Sequence, residues 1–301
     1  MTAANNEPAA DEPLAIALQR IWRRELAHLQ QQIPGVVEGR DSECLHQFRV
    51  ALRRSRALLR VLEKSVPPHR QLAADLKALS AATGSLRDLD VHCAGFEAWL
   101  GADRNGAGAD VAAVLRNRRE RAHAELVDML NSDRCRDLLQ DWSRFLAFLP
   151  TNPSHRIATA NAVQPLLRRR VGKLSRNLCR RGQRIDAQSP DRELHRMRIH
   201  GKRLRYLLET FAPVFPRRRR LHRLIAALKD LQTVLGDHQD SVVARELFRS
   251  LVGLPELGTE AVFTLGRWDR ELEQRRCDAR RAFGRSFAAF ARACRRRPWR
   301  H

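Results

Sequence analysis

The residues of this 301-residue chain best suited to chemistry are cations spaced for one side of a helix. In HQFRVALRRSRALLR, residues 46–60, His46, Arg49, Arg53, Arg56 and Arg60 follow one another at intervals of three and four. That spacing holds all five on one helical face. The stripe covers about 21 Å at 1.5 Å per residue. Like charges at these spacings weaken a helix by a few tenths of a kcal/mol per pair. A solvated face would intersperse glutamates, yet Glu63 comes only after the stripe. A ligand supplying the counter-anion accounts for the pattern. His46 would add a donor once protonated, since a dense anion raises a histidine pKa.

The pattern recurs in HRMRIHGKRLRY, residues 195–206. His195, Arg198, Lys202 and Arg205 repeat the intervals 149 residues later, and Arg203 matches Arg54. Glu209 again follows the stripe. Apolar residues accompany both stripes: Leu45, Phe48, Leu52, Leu59 and Leu62 in the first, and Leu194, Met197 and Leu204 in the second. Further on, LKALSAATGSLRD (76–88) matches LKDLQTVLGDHQD (228–240) at an offset of 152. This pairs Lys77 with Lys229, Gly84 with Gly236 and Asp88 with Asp240; Arg87 is matched by Gln239. Matched segments in the same order imply an internal duplication. Lys77 and Lys229 are expected on the wall opposite the stripes. Asp88 and Asp240 are expected to orient basic side chains or to cap helices.

The elements that must position these residues are helices, because apolar residues recur with helical rather than alternating period. The spacing predicts helices over 13–33, ended by Pro34-Gly35, and from Asp41-Ser42 to about Val66. Others are expected over 70–83, bent or broken at Gly84-Ser85, and over 86–100. After the loop GADRNGAGA come 110–131 and 133–148, the latter capped by Asp133. TNPSH (151–155) reads as the connection between halves. Then follow 160–185, the second stripe helix from Ser189 and Asp191 to about Ala212, one from RRRRLHR to about Leu235, and 238–252 and 256–294. Residues 1–12 are expected to be a disordered tail, and RRRPWRH a frayed end. The expected fold is all-α: helical bundles over 13–157 and 158–301, related by a pseudo-twofold, with both stripes facing a shared basic groove or pore.

Charge points to a polyanion. Fifty-six Lys and Arg oppose 34 Asp and Glu, a net +22. Residues 1–157 carry 22 basic and 20 acidic groups, whereas residues 158–301 carry 34 and 14. Arginine favours bidentate contact with phosphate. Nucleic acid, inorganic polyphosphate and an anionic membrane surface all fit such a charge. Six scattered cysteines without a C-x-x-C pair read as reduced intracellular thiols. The N-terminus lacks the pattern of a signal peptide, and no apolar run of about 20 residues occurs.

Catalytic signals are weak: no P-loop, H-E-x-x-H or G-x-S-x-G occurs. ELEQR (271–275) is only a faint echo of the acidic signature of tunnel-fold triphosphatases. No His/Asp cluster has metal-ligand spacing. No role is assigned to His92, His123, His222 or His238, and His200 is matched only by Ala51.

HQFRVALRRSR with LKALSAATGSLRDLD, and LHRMRIHGKRLRYLLE with LKDLQTVLGDHQD, resemble the CHAD family, the helical domain named for its histidines. The resemblance covers about residues 12–294. It implies paired, pseudo-symmetric helical bundles that bind inorganic polyphosphate through a basic central surface, some members associating with polyphosphate granules. It implies as ligands His46, Arg49, Arg53, Arg54, Arg56, Lys77, His195, Arg198, Lys202, Arg203, Arg205 and Lys229; Arg60 and Arg87 join them from the stripe and its facing segment. CHAD domains often accompany a CYTH triphosphatase, and none fits in this chain. The expectation is therefore a cytoplasmic, non-enzymatic polyphosphate-binding protein without cofactor or metal. Nucleic-acid binding is the second reading, disfavoured by 6% aromatics and a single Tyr. Metal-dependent phosphohydrolysis is the third. Gln239 and the near-neutral first half depart from the expected pattern.

Overall fold

A computed structural model describes residues 8–9, 12–39, 41–63, 66, 69–101, 107–149 and 163–299. Among these the chain forms nine α-helices and no β-strand. They are α1 (Leu14–Glu38), α2 (Ser42–Leu62), α3 (Arg70–Leu100), α4 (Ala107–Asn131), α5 (Asp133–Phe148), α6 (Val163–Gly182), α7 (Asp191–Thr210), α8 (Arg218–Arg249) and α9 (Thr259–Arg295). A 3₁₀ turn at Ala212–Val214 joins α7 to α8. The connection expected at 151–155 lies outside the described residues.

Several boundaries differ from expectation, each for a local reason. Pro34 lies inside α1, which continues to Glu38. A proline near a C-terminus forfeits one hydrogen bond, and the next turn still buries Val36. The stop is Gly39, left-handed at φ 69°, whose N–H donates to the Gly35 carbonyl. Asp41 does cap α2, accepting from the Glu43 N–H at 2.8 Å. Ser132 rather than Asp133 caps α5, accepting from the Cys135 N–H. Neither Gly84 nor Gly236 breaks its helix: α3 and α8 run unbroken through them. The basic end is not frayed as far as residue 299, because Trp299 is buried against α6, close to Gly172. Glu12 is also fixed, its carbonyl accepting from the Val163 N–H and its carboxylate from Arg20.

The apolar stripes do the packing. Leu45, Phe48, Leu52, Leu59 and Leu62 on α2 are all buried, as are Leu194, Met197 and Leu204 on α7. One core runs through both halves of the chain, from Trp22 and Phe48 to Leu204, Phe211 and Phe290. A smaller one, built on Phe96, Phe248 and Trp268, joins α3, α4, α8 and α9. The two halves share an order of neighbours: α1 packs on α2, α2 on α3 and α3 on α4, while α6 packs on α7, α7 on α8 and α8 on α9. The halves meet where α4 packs against α9 and where α2 packs against α7. The latter contact brings the two stripes together.

Candidate functional site

The α2–α7 contact is built from matched cations. On α7, Lys202 stands among Arg198, Arg205 and, across the contact, Arg53 of α2. Burial first, then these like charges, push its ammonium down to about 7, with Asp240 opposing them. Further along the same contact Arg203 of α7 lies beside Arg56 and Arg60 of α2. Burial lowers the pKa of Arg56 and of Arg203, and these neighbours lower them further.

At the outer end of each stripe an arginine reaches over the next helix. Arg49 crosses Gly84 of α3, donating through Nη1 to Thr83 Oγ1 at 3.2 Å and the Ser80 carbonyl at 3.4 Å. Burial, with repulsion from Arg53 and Arg87, brings Arg49 down to about 10, while Asp88 opposes. Arg198 crosses Gly236 of α8 and faces Asp240 at 3.7 Å. The glycines expected as breaks thus leave bare helix surface for a guanidinium. Asp88 and Asp240 sit mid-helix, so they are not caps; they act on Arg49 and Arg198 through charge.

The two histidines occupy matched places with different partners. His195 Nδ1 lies 2.6 Å from Gln239 Oε1, so the amide oxygen can accept the imidazole N–H. His46 has Arg87 near it instead; burial, then Arg87, lower its pKa, with Glu43 opposing. Burial and Arg87 therefore bias His46 to the neutral form rather than the charged donor expected. Gln239, an apparent departure in sequence, is what positions His195.

Other expected members lie apart. Arg54 turns toward α1, 3.7 Å from the buried Glu25. Lys229 pairs with Glu209 of α7 at 3.6 Å, and Arg205 approaches the same carboxylate at 3.9 Å. Glu209 thus terminates the second stripe by neutralising two cations. Lys77 is exposed on α3. Four guanidinium Nε atoms, of Arg49, Arg53, Arg198 and Arg205, are shut off from solvent without a hydrogen-bond acceptor among the described residues. A buried donor left this way is costly, a cost that packing of the stripes bears.

Sequence reasoning missed an ion-pair cluster behind the stripe. Asp191, at the start of α7, accepts from Arg276 at 2.9 Å and Arg280 at 2.8 Å, both on α9, and contacts buried His238 at 3.1 Å. Glu273, within the faintly suggestive ELEQR, pairs with Arg245 and Arg276, and Glu271 with Arg275. Glu273 thereby ties α9 to α8, whereas the Glu271–Arg275 pair lies within α9. The signal for this cluster was the run of arginines at helical spacing in α9, legible only once α9 was set against α7. His123, also unassigned, lies 2.9 Å from the Val36 carbonyl and holds α4 to α1. Among the described residues no three His, Cys, Asp or Glu side chains are grouped to hold a metal ion, and no helix is long and apolar enough to cross a membrane.

Fold and site together define an all-α protein in which arginines and a lysine gather where α2 meets α7. The chain belongs to the CHAD domain family, whose model matches residues 20–249. The crystal structure of the CHAD domain from the plant Ricinus communis superposes with a TM-score of 0.81 at 27% identity, covering 94% of each chain. PptA from Streptomyces chartreusis shares the fold with a TM-score of 0.71 at 18% identity, over 92% of this chain and 100% of that one. No curated protein is matched at the level of sequence.

Proposed function

We propose that this protein binds inorganic polyphosphate, without turning it over, in a basic groove formed where α2 and α7 meet. The observation that carries the reading is the placement of Lys202 among Arg53, Arg198 and Arg205, with Asp240 in opposition. Cations gathered from two helices repel one another until an anion enters. A phosphate chain offers one negative charge after another at the spacing of a flexible polymer. Arginine forks and the lysine would neutralise successive phosphates and release counterions, giving steep salt dependence. The matched helix order and the nearness of Arg53 to Lys202 at equivalent positions support an internal duplication with a pseudo-twofold through this groove. The family's association with polyphosphate agrees with this reading, and a place at polyphosphate granules would follow from it.

Nucleic acid is the second reading, and the aromatic residues argue against it. The one tyrosine, Tyr206, is buried beneath Arg205, and Trp22, Trp142, Trp268 and Trp299 are buried in the cores. Few rings remain near the stripes on which bases could stack. The third reading, a phosphohydrolase, lacks support because the acids near the stripes already oppose Arg49, Arg198 and Lys229.

A competition assay tests the proposal. Labelled long-chain polyphosphate, bound at near-physiological salt, is challenged with unlabelled polyphosphate, duplex DNA or RNA at equal phosphate concentration. Displacement by polyphosphate alone is expected. Equal displacement by DNA or RNA would make the protein a general polyanion binder.

A further inference from the structure

The cationic surface continues beyond the α2–α7 contact. Arg203, beside Arg56 and Arg60, also neighbours His200, one turn earlier on α7. His200 in turn neighbours Arg181, near the end of α6. Burial, then these two arginines, hold its imidazole below the ordinary range. Here α6 and α7 enclose a cleft of about 580 Å³, lined by Arg180, Arg181, Arg184 and His200. The carboxylate on its wall, Glu193, is engaged by Arg196 at 2.7 Å. Asn177 holds Arg180 at 3.1 Å. Arg181 and Arg184 are exposed and have no ion-pair partner among the described residues.

Three guanidinium groups and an imidazole around a concavity, with its carboxylate already engaged, form a donor set for phosphate oxygens rather than for a neutral or cationic ligand. The α2–α7 site alone does not explain this cleft. It lies on the α6 side of α7, whereas Arg198 reaches α8 on the other. Arg203 and His200 link the two around the helix.

We propose that the α6–α7 cleft is a second binding site for phosphate oligomers, contiguous with the stripe site through Arg203 and His200, so that a long polyphosphate chain occupies both while a short oligomer occupies one. This inference rests on the polyphosphate reading of the stripes. Once a chain is held at one site, its continuation reaches the other at high effective concentration, so avidity grows with length. Separate short oligomers gain nothing from the linkage.

The test compares full-length wild type with three charge-reversed variants: Arg181→Glu/Arg184→Glu in the cleft, Arg49→Glu/Arg198→Glu in the stripes, and Arg121→Glu/Arg144→Glu, exposed on α4 and α5, as a control of equal charge change. Far-UV circular dichroism establishes that each is folded, and Arg181→Gln/Arg184→Gln serves if the cleft reversal is not. Calorimetric titrations use tripolyphosphate and long-chain polyphosphate. The cleft variant is expected to lose about tenfold more long-chain affinity than the control, and to bind one tripolyphosphate fewer. Cleft and control variants that match in both titrations would overturn the inference. Failure of the stripe reading is a separate result: the stripe variant would keep wild-type affinity for both ligands.

Discussion

Lys202 on α7 lies close to Arg53 on α2, and the two occupy matched positions of the two stripes, 149 residues apart. Equivalent cations from the two halves thus lie near enough to repel each other. Folding opposes this arrangement and anion binding favours it, and that tension yields the clearest tests.

The first concerns pH. The folded-state pKa of Lys202 is about 7, against an ordinary 10.5, so the unfolded chain holds this proton more tightly. Lys202 therefore makes stability rise with pH from about 7 to about 10.5, and its full cost is present below 7. Lys202→Met should raise Tm near pH 7 by about 1.5 °C for each 1 kcal/mol relieved, with the gap closing toward pH 10.5. Binding runs the opposite way, because an anion favours the charged lysine. Wild-type affinity should strengthen as pH falls through about 7, with proton uptake measurable by calorimetry in buffers of different ionisation enthalpy. An unchanged pH slope in Lys202→Met would remove Lys202 from the site.

The outer arginines supply a second test. Arg49→Glu/Arg198→Glu replaces both guanidiniums that cross α3 and α8. Loss of two contacts to charge, each worth about 1.5–3 kcal/mol, predicts at least a hundredfold drop in polyphosphate affinity. Retained affinity in a folded variant would move the site elsewhere.

Gly84 gives a subtler probe of the same geometry. A Cβ there would lie 3.4 Å from Arg49 Nη1, an ordinary contact, so Gly84→Ala should be tolerated. Gly84→Leu should displace the guanidinium from Thr83 and weaken binding by about tenfold, the cost of roughly one hydrogen bond, with helicity unchanged. Equal affinities of the Ala and Leu variants would show that Arg49 need not lie across α3.

Asp191 is a test of scaffold rather than ligand. Asp191→Ala leaves Arg276, Arg280 and His238 without their shared acceptor. A loss of about 1–3 kcal/mol is expected in urea unfolding, smaller than for a fully buried pair because the carboxylate is 36% exposed. An unchanged midpoint would show that solvent already screens these contacts.

The structure thus makes several residues legible in a way their sequence positions were not. Gly84 and Gly236 read as helix breaks because glycine is a poor helix former, yet in place they are gaps under arginines. Gln239 read as a lost charge and proves to hold His195. Arg54 shared the motif, but its position on α2 turns it to Glu25, which periodicity along one helix could not foresee. Lys229 and Arg205 share Glu209, an acid that looked remote when only the stripe was read.

Sequence by itself determined the helices, the two stripes, their burial on the apolar side and the family, because helical period and charge spacing are properties of consecutive residues. It also supplied the matched intervals in the two halves. Only the tertiary structure decided that α2 packs against α7, that Arg53 meets Lys202, that Asp191 gathers arginines from α9, and that α6 and α7 enclose a basic cleft. The reason is physical. Local spacing fixes which face of a helix a side chain leaves from, whereas burial and the approach of like charges depend on packing between helices far apart in the chain.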